Sequence, residues 1–410
     1  MAADDRGGDA SRADARPQAR RRLSDNILIE TGADGRARYV RADDPAREEY
    51  SYRKPFILEL EITRRCNLRC VHCYAEASDG AFPGELTRDE IARVLDDGRE
   101  IGIREISLTG GEVLCHESFL DVVDDGIARG YDVRFVSNAT LVTDEVVAEL
   151  RRRPIKLVTV SLDAVRPELH ERIRGAGTHA PTVRGIERLR EAGLNVSVIT
   201  AFSKLNVDDF DAILAFCVAR RLDWQVQITS AKGRCAKAIT LAPEEYYALG
   251  EKVARAFAAE LPINVIPMDD MATFSQLAPL DALSRTWQGR CTGGLLNIFV
   301  RANGDVTPCS ALAFAPCIVG NVRTESLKTI CGEERCRDAL AWLTPDALTG
   351  VCADCAFKED CHGGCPEILL TMCADRTENE YCYHRIEQAR ILDDVFGGAD
   401  LDGDEGRSDA

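Results

Sequence analysis

The sequence lacks the features of a membrane-spanning protein, a secreted disulfide scaffold and a nucleic-acid-binding protein. Its hydrophobic runs stay well short of the ~20 apolar residues that a membrane span requires, so we expect no membrane partner. Basic residues are in deficit: 51 Lys and Arg stand against 68 Asp and Glu, and the net charge of -17 argues against nucleic acid as a partner. The chain begins with charged residues instead of an apolar signal segment, which indicates a cytoplasmic location where its 17 cysteines stay reduced.

Composition divides the chain into two tails and a folded middle. With 45% hydrophobic residues, the 410-residue chain can bury a substantial core in two or three domains. The tails, 1–22 and the acidic 397–410, are poor in apolar residues and are expected to be disordered. Segments 26–30 and 37–40 flank Asp34-Gly35 and predict a β-hairpin extension over 23–54. We interpret it as a packing extension, with a lid strand or a substrate-docking edge as alternatives.

Three cysteines follow the first strand of the folded middle. Residues 56–62 alternate like a strand, and Cys66, Cys70 and Cys73 lie in the loop beyond it. An iron-sulfur cluster ligated only by protein uses four cysteines, so three leave one iron open for chemistry. A structural zinc site is the alternative. Zinc sites usually pair CxxC with a second CxxC or with a histidine pair, and neither motif lies nearby.

Strand-like and helix-like segments then alternate along the chain. This alternation predicts parallel strands with right-handed crossovers, hence an α/β fold built on a partial, TIM-like (β/α)6 barrel over 55–230. The active face of such a barrel lies at the C-terminal ends of its strands. The predicted strands are 56–62, 104–109, 131–136, 157–160, 195–200 and 224–229, and the predicted helices are 86–101, 117–129, 144–152, 182–192 and 208–220.

The spacing CxxxCxxC, followed by the aromatic Tyr74 at the end of a first strand, resembles the signature of the radical SAM enzymes. The resemblance implies that Cys66, Cys70 and Cys73 hold a 4Fe-4S cluster whose open iron is chelated by the amino and carboxylate groups of S-adenosylmethionine. One electron then cleaves this cofactor to a 5'-deoxyadenosyl radical, which abstracts hydrogen from a substrate. The cofactor carries the chemistry, and the protein positions it and excludes water.

Motifs after the later strands resemble the cofactor-binding motifs of the same family. Gly110-Gly111-Glu112 is similar to the GGE motif that binds the cofactor amino group, although Val113 stands where the family usually has proline. Arg174 is the candidate for the cofactor carboxylate, because a guanidinium can donate two parallel hydrogen bonds. Turn and helix-cap chemistry is an equal alternative for Ser137, Asn138 and Asp163. The implied cofactor-binding residues are Gly110, Gly111, Glu112, Ser137, Asn138, Ser161, Asp163 and Arg174.

Cysteines crowd together again in the last third of the chain. Beyond a helical bridge predicted over 231–284, the pattern CxxCxxxxxCxxxC within 285–396 resembles a SPASM domain, which carries auxiliary iron-sulfur clusters. The resemblance implies two auxiliary 4Fe-4S clusters beside the radical SAM cluster. The outer set is Cys352, Cys355, Cys361 and Cys382, and the inner set is Cys291, Cys309 and Cys365. The inner set has three cysteines, one fewer than a fully protein-ligated cluster uses. Either Cys317 is the fourth ligand, or one iron of this cluster stays open.

The resemblance also constrains the substrate. SPASM enzymes most often modify ribosomally made peptides, so we predict oxidative peptide maturation by a crosslink, a thioether or a decarboxylation. A small-molecule dehydrogenase or epimerase acting on a sugar or aminocyclitol, and a haem-pathway decarboxylase, are the alternatives. An external one-electron reductant such as flavodoxin or ferredoxin is implied. The catalytic residues are unknown; Cys235 and Cys115 are weak candidates for a hydrogen-donating thiol.

Overall fold

A computed structural model of the protein describes residues 19–24, 27–31, 37–41, 55–80, 82–268, 270–284, 291–294, 296–332 and 335–396. Near the N-terminus, strands Ala19–Ser24 (β1), Ile27–Thr31 (β2) and Ala37–Arg41 (β3) form an antiparallel sheet. Strands β2 and β3 pair where the hairpin was predicted. Residues 19–22, at the end of the tail predicted over 1–22, belong to β1 and pair with β2. The rest of that tail, and 397–410, lie outside the described residues.

Six parallel strands form the centre of the molecule. They are Ile57–Thr63 (β4), Glu105–Gly110 (β5), Asp132–Ser137 (β6), Leu157–Ser161 (β7), Val196–Phe202 (β8) and Asp223–Ile228 (β9). Each pairs in parallel with the next in sequence. This order confirms the predicted partial (β/α)6 barrel.

Helices connect these strands: Arg88–Glu100 (α1), Phe119–Ala128 (α2), Asp144–Leu150 (α3), Pro167–Arg174 (α4), His179–Glu191 (α5) and Phe210–Arg220 (α6). Helix α1 begins with a reciprocal cap between Thr87 and Glu90 and buries Ile91, Val94 and Leu95 against the sheet. The sequence analysis predicted all of them except α4. That helix has only eight residues and begins at a proline. The sequence analysis named only its last residue, Arg174.

The central sheet continues beyond the barrel at both edges. Val265–Ile266 (β10), after helix Pro243–Ala258 (α7), pairs in parallel with β9. At the other edge Asn297–Val300 (β11), after helix Asp281–Ser284 (α8), pairs in parallel with β4. Asp305–Thr307 (β12) and Gly320–Asn321 (β13) then extend the sheet antiparallel. The segment that carries Cys309 therefore starts on the barrel sheet, next to the strand that leads to Cys66.

Short helices build the rest of the C-terminal part. They are Leu327–Gly332 (α9), Gly350–Ala353 (α10), Lys358–Cys361 (α11) and Pro366–Thr371 (α12), followed by the longer Tyr383–Phe396 (α13). Tyr383 packs against α7, and its hydroxyl donates to Tyr246 O at 3.0 Å. In the part of the chain that the structure describes, no helix combines the length and apolarity needed to cross a membrane.

Candidate active site

The loop that carries Cys66, Cys70 and Cys73 closes on itself directly beyond β4. The Cys66 amide donates to Ser78 O at 2.7 Å, and Arg64 Nη2 donates to Ala75 O at 2.7 Å. Gly111 packs behind this loop: its amide donates to Thr63 O at 2.7 Å, and a Cβ in its place would collide with the Arg65 carbonyl oxygen. The Gly-Gly turn after β5 thus fits the loop because it has no side chains.

The sulfur atoms in this loop have the surroundings of metal ligands. The Leu68 amide points at Cys66 Sγ at 3.4 Å, and Asn138 Nδ2 lies 3.9 Å from the same sulfur. Burial raises the pKa of the Cys66 thiol to about 12, and the nearby charges of Glu112 and Cys70 add to this shift. A buried thiol needs a nearby cation to ionise, so Cys66, with Cys70 and Cys73 in the same loop, fits the chemistry of an iron ligand. Among the described residues, no group of three or more His, Cys, Asp or Glu side chains is already arranged to hold a metal ion.

One cavity of ≈ 440 Å³ opens above the three cysteines at the C-terminal ends of the strands. Two buried polar atoms of residues in its wall, His72 Nδ1 and Arg234 Nη2, have no hydrogen-bond partner among the described residues. Unpaired polar groups in the wall of a cavity are typical of a site for a polar ligand, so the cavity fits a cofactor with several hydrogen-bonding groups. The walls include Cys66, Cys70, Cys73 and these predicted cofactor-binding residues: Gly110, Gly111, Ser137, Asn138, Ser161 and Arg174.

Glu112 lies beside this cavity, outside its lining. Its carboxylate is buried and accepts from Ser137 Oγ at 2.7 Å, from the Asn138 amide at 2.7 Å and from the Leu114 amide at 3.2 Å. Burial raises the pKa of Glu112, and these donors partly offset the shift. The contact between Glu112 and the cofactor amino group stays a prediction; the observed contacts join the end of β5 to the end of β6.

Asp163 contacts two cavity side chains rather than the cavity itself. Its carboxylate is fully buried, accepts from Arg174 Nε at 2.6 Å and lies 2.8 Å from His72 Nε2. Burial by itself raises the pKa of Asp163, but the Arg174 and His72 neighbours outweigh burial and hold that pKa well below its usual range. Because a charged carboxylate only accepts, the His72 ring donates from Nε2. The sequence analysis missed His72, although its position between two cluster cysteines was a usable signal.

Ionisable side chains also line this cavity, and the sequence analysis missed them. Lys232 Nζ, beyond β9, lies 2.5 Å from Glu367 Oε1 and donates to Ala311 O at 2.5 Å. Ser230 Oγ also donates to Glu367 at 2.5 Å. Glu59, on β4, also lines the cavity and accepts from the Ser310 amide at 3.3 Å; burial raises the pKa of Glu59. An acidic residue on the inner face of a barrel strand was the available signal for Glu59.

Three of these cavity residues are also neighbours of the inner cysteine set. The titratable neighbours of the partly buried Cys309 are Cys291, Glu59, Glu367 and Lys232, and desolvation raises the pKa of this thiol. Cys365 in turn has Cys291 and Glu367 as neighbours. Cys317 is also buried, but among the described residues its charged neighbour is Lys232. Cys291 is therefore a neighbour of both Cys309 and Cys365, and Lys232 is a neighbour of Cys317.

The outer cysteine set is grouped in the same way. The titratable neighbours of Cys361 are the other three outer cysteines, Cys382, Cys352 and Cys355. Burial, together with Cys352 and Cys355, raises the pKa of Cys382 to about 11. Backbone amides point at two of these sulfurs, from Asn379 to Cys352 at 3.4 Å and from Phe357 to Cys355 at 3.5 Å. Such amide–sulfur contacts tune cluster potentials, so this donor set fits a cluster as well.

Neither candidate for a hydrogen-donating thiol lines the described cavity. Cys115 is half-buried near Glu112 and Asn67, and Cys235 is buried with its sulfur 4.0 Å from Ala236 O. Burial raises the pKa of both thiols. Their proposed role stays a prediction without a contact that supports it.

Comparisons with known proteins agree with this geometry. The family model of the radical SAM superfamily matches residues 60–217, and that of the SPASM iron-sulfur cluster-binding domain matches residues 291–356. The AdoMet-dependent heme synthase of Methanosarcina barkeri is 28% identical over 346 residues, covering 81% of this chain and 97% of that protein. The mycofactocin maturase MftC of Mycobacterium ulcerans is 28% identical over 327 residues, covering 77% and 84%.

Solved structures share the fold. SuiB of Streptococcus suis bound to S-adenosylmethionine has a TM-score of 0.65 at 16% identity, covering 79% of this chain and 76% of that one. The anSMEcpe enzyme with bound AdoMet has a TM-score of 0.63 at 16% identity, covering 84% and 100%. Together, the cysteine loop, the cavity above it and the two matching family models identify the chain as a radical SAM enzyme with a C-terminal SPASM domain.

Proposed function

We propose that this enzyme oxidises a substrate held between two iron-sulfur sites in the central cavity. One observation carries the proposal: the same cavity is lined by Cys66, Cys70 and Cys73 and by Lys232, Glu59 and Glu367, which are neighbours of Cys309. A radical generated at the first site and an electron acceptor at the second would face the same substrate. The inner and outer cysteine sets would hold two auxiliary clusters, three clusters in all.

Different residues of the cavity would bind different groups of the cofactor. S-adenosylmethionine bound to the open iron supplies the 5'-deoxyadenosyl radical. Arg174 would bind the cofactor carboxylate, with its guanidinium oriented by Asp163. Ser137 and Asn138, which line the cavity, would hydrogen-bond to the ribose and methionyl groups of the cofactor. The cysteine loop would shield the radical site from water and so prevent side reactions.

The substrate we propose is a ribosomally made peptide that undergoes oxidative maturation. The support is the likeness to mycofactocin maturases and to SuiB, which has also been solved bound to its precursor peptide SuiA. The cavity lining includes Lys232, Glu59 and Glu367, whose ammonium and carboxyl groups could bind the polar groups of a peptide. An external one-electron reductant such as flavodoxin or ferredoxin would start each turnover.

A haem-pathway reaction is the second candidate. It is favoured by the AdoMet-dependent heme synthases, which align with most of this chain, and by an Fe-coproporphyrin III synthase that is 32% identical over 166 residues. The two candidates require different substrates in the same cavity. Anaerobic incubation with iron coproporphyrin III, and separately with peptides encoded next to the gene, followed by mass measurement, separates them: a mass change in only one substrate selects that candidate.

The radical chemistry itself is tested by replacing Cys66, Cys70 and Cys73 together with Ala. We expect the variant to lose production of 5'-deoxyadenosine from S-adenosylmethionine and dithionite, because no iron site remains to bind the cofactor. Iron bound by the C-terminal cysteines should remain, which iron analysis and electron paramagnetic resonance would measure. Continued 5'-deoxyadenosine formation by this variant would refute the assignment.

A further inference from the structure

Two thiols outside the cluster sets lie against each other in the C-terminal part. The sulfur atoms of Cys331, on α9, and Cys336, in the following 3₁₀ turn, are 3.3 Å apart. Both residues are buried, with exposed fractions of 4% and 2%. This separation is longer than the ~2.0 Å of a disulfide bond, so the two are adjacent free thiols.

Contacts other than the sulfurs hold the two segments together. Helix α9 is fixed on α1, where the Leu327 amide donates to Asp97 at 2.7 Å. The turn is fixed by Arg335, which pairs with Glu325 at 2.6 Å and donates to Val319 O at 3.0 Å. Because packing has already brought the sulfurs together, a bond between them requires an approach of only about 1 Å.

The backbone of Cys336 contacts the loops that carry the inner cysteines Cys291 and Cys309. Gly294 has a φ of +76°, and a Cβ there would lie 2.5 Å from the Cys336 carbonyl oxygen. The Gly294 amide donates to Pro308 O at 2.9 Å, so this glycine connects the Cys336 backbone to the residues beside Cys291 and Cys309. A covalent link between Cys331 and Cys336 would therefore stiffen the support of the inner site.

We propose that Cys331 and Cys336 are a redox-active dithiol, separate from the cluster ligands, that closes into a disulfide when the protein meets a two-electron oxidant. Each thiol loses its proton, two electrons pass to the oxidant, and one S–S bond forms. A diazene oxidant such as diamide takes up the two electrons and two protons and becomes a hydrazine. The hydrogen bond with Cys336 and burial raise the pKa of Cys331, which disfavours the thiolate form of this residue.

The test uses the full-length protein with its clusters, prepared without oxygen. It is treated with diamide, denatured in N-ethylmaleimide and digested with trypsin, which cleaves after Lys328, Arg335 and Arg337. Because trypsin cuts between the two cysteines, their peptides remain joined only through a disulfide. We expect the joined peptides to rise several-fold on treatment, the iron content to stay constant, and the melting temperature to rise.

Two single variants test whether the linkage is specific to Cys331 and Cys336. Cys331→Ser should abolish the joined peptides and the rise in melting temperature. Cys217→Ser, which removes a buried thiol on α6 remote from the pair, should retain both. Recovery of both cysteines as maleimide adducts from treated, folded protein would overturn the proposal. So would a linkage that forms only after iron is lost, since it would then be a product of cluster disassembly.

Discussion

The buried carboxylate of Asp163 contacts two side chains that line the cavity. Its side chain has no exposed surface, yet it contacts Arg174 and His72, which both line the cavity. A buried carboxylate is costly unless it is paired, and here the pair also fixes the orientation of both partners. The role that the sequence predicts for Asp163 as a cofactor ligand is, in this geometry, better described as positioning Arg174 and His72.

We predict that Asp163→Asn lowers affinity for S-adenosylmethionine at least about ten-fold, which is ~1.4 kcal/mol. The amide keeps the shape but removes the charge that orients Arg174. Equilibrium dialysis of the cofactor against the anaerobic enzyme measures the change. Asp209→Asn is the matched control, because Asp209 is equally buried and pairs with Arg166 at 2.7 Å, outside the described cavity lining. Equal weakening in both variants would contradict the positioning role.

Helix α1 connects the barrel to the C-terminal part through Glu90. Glu90 completes the helix cap with Thr87, and it also accepts from Arg323 Nε at 2.8 Å. Arg323 donates in addition to the carbonyl oxygens of Gly84 and Glu85 at 2.8 Å. The Arg323 hydrogen bond and the Thr87 amide lower the pKa of Glu90 to about 2.

This pKa gives a pH-dependent prediction. Because the pKa of Glu90 is lower in the folded protein than its unfolded value near ~4.3, its stabilisation is complete above that value and is lost as the pH falls towards about 2. Glu90→Gln should therefore cost about 1 kcal/mol at pH 7 and progressively less below pH ~4. Chemical unfolding of the variant and the parent across pH measures the difference.

Glu100→Gln is the control for this prediction. Glu100 also links α1 to the C-terminal part, through Lys328 Nζ at 3.0 Å, but both side chains are largely exposed. Such a pair contributes about 0–1 kcal/mol, so this variant should change stability little and without the same pH profile. A loss of stability for Glu90→Gln that persists undiminished to pH 2 would show that its charge is not the cause.

At the scale of the whole molecule, metal binding and folding should be coupled in the C-terminal part. The helices between the outer cysteines are short, and a separate small apolar cluster of Leu343, Leu348 and Leu369 lies beside them. Such a small core contributes little stability, and cluster ligation would then supply much of the free energy of folding.

We predict that Cys361→Ser lowers both the iron content and the melting temperature, because Cys361 lies among the other three outer thiols. Calorimetry and iron analysis on anaerobic protein measure the two effects. Cys217→Ser should leave the iron content unchanged, since that thiol lies on α6 away from the cluster sets. A Cys361→Ser variant with full iron content would remove Cys361 from the outer set.

The alternation of strands and helices over 55–230 apart from α4, the (β/α)6 barrel and the candidate cysteine ligands could be predicted from the sequence alone. Hydrophobic periodicity and cysteine spacing are local patterns, and they follow directly from the order of residues. The tertiary structure decided which groups meet. It paired β11 with β4 and placed Glu59 beside Ser310, 251 residues later in the sequence. It also placed the Asp163 carboxylate in contact with His72 and Arg174. Contacts between residues far apart in sequence depend on how the elements pack, and local patterns do not encode that packing.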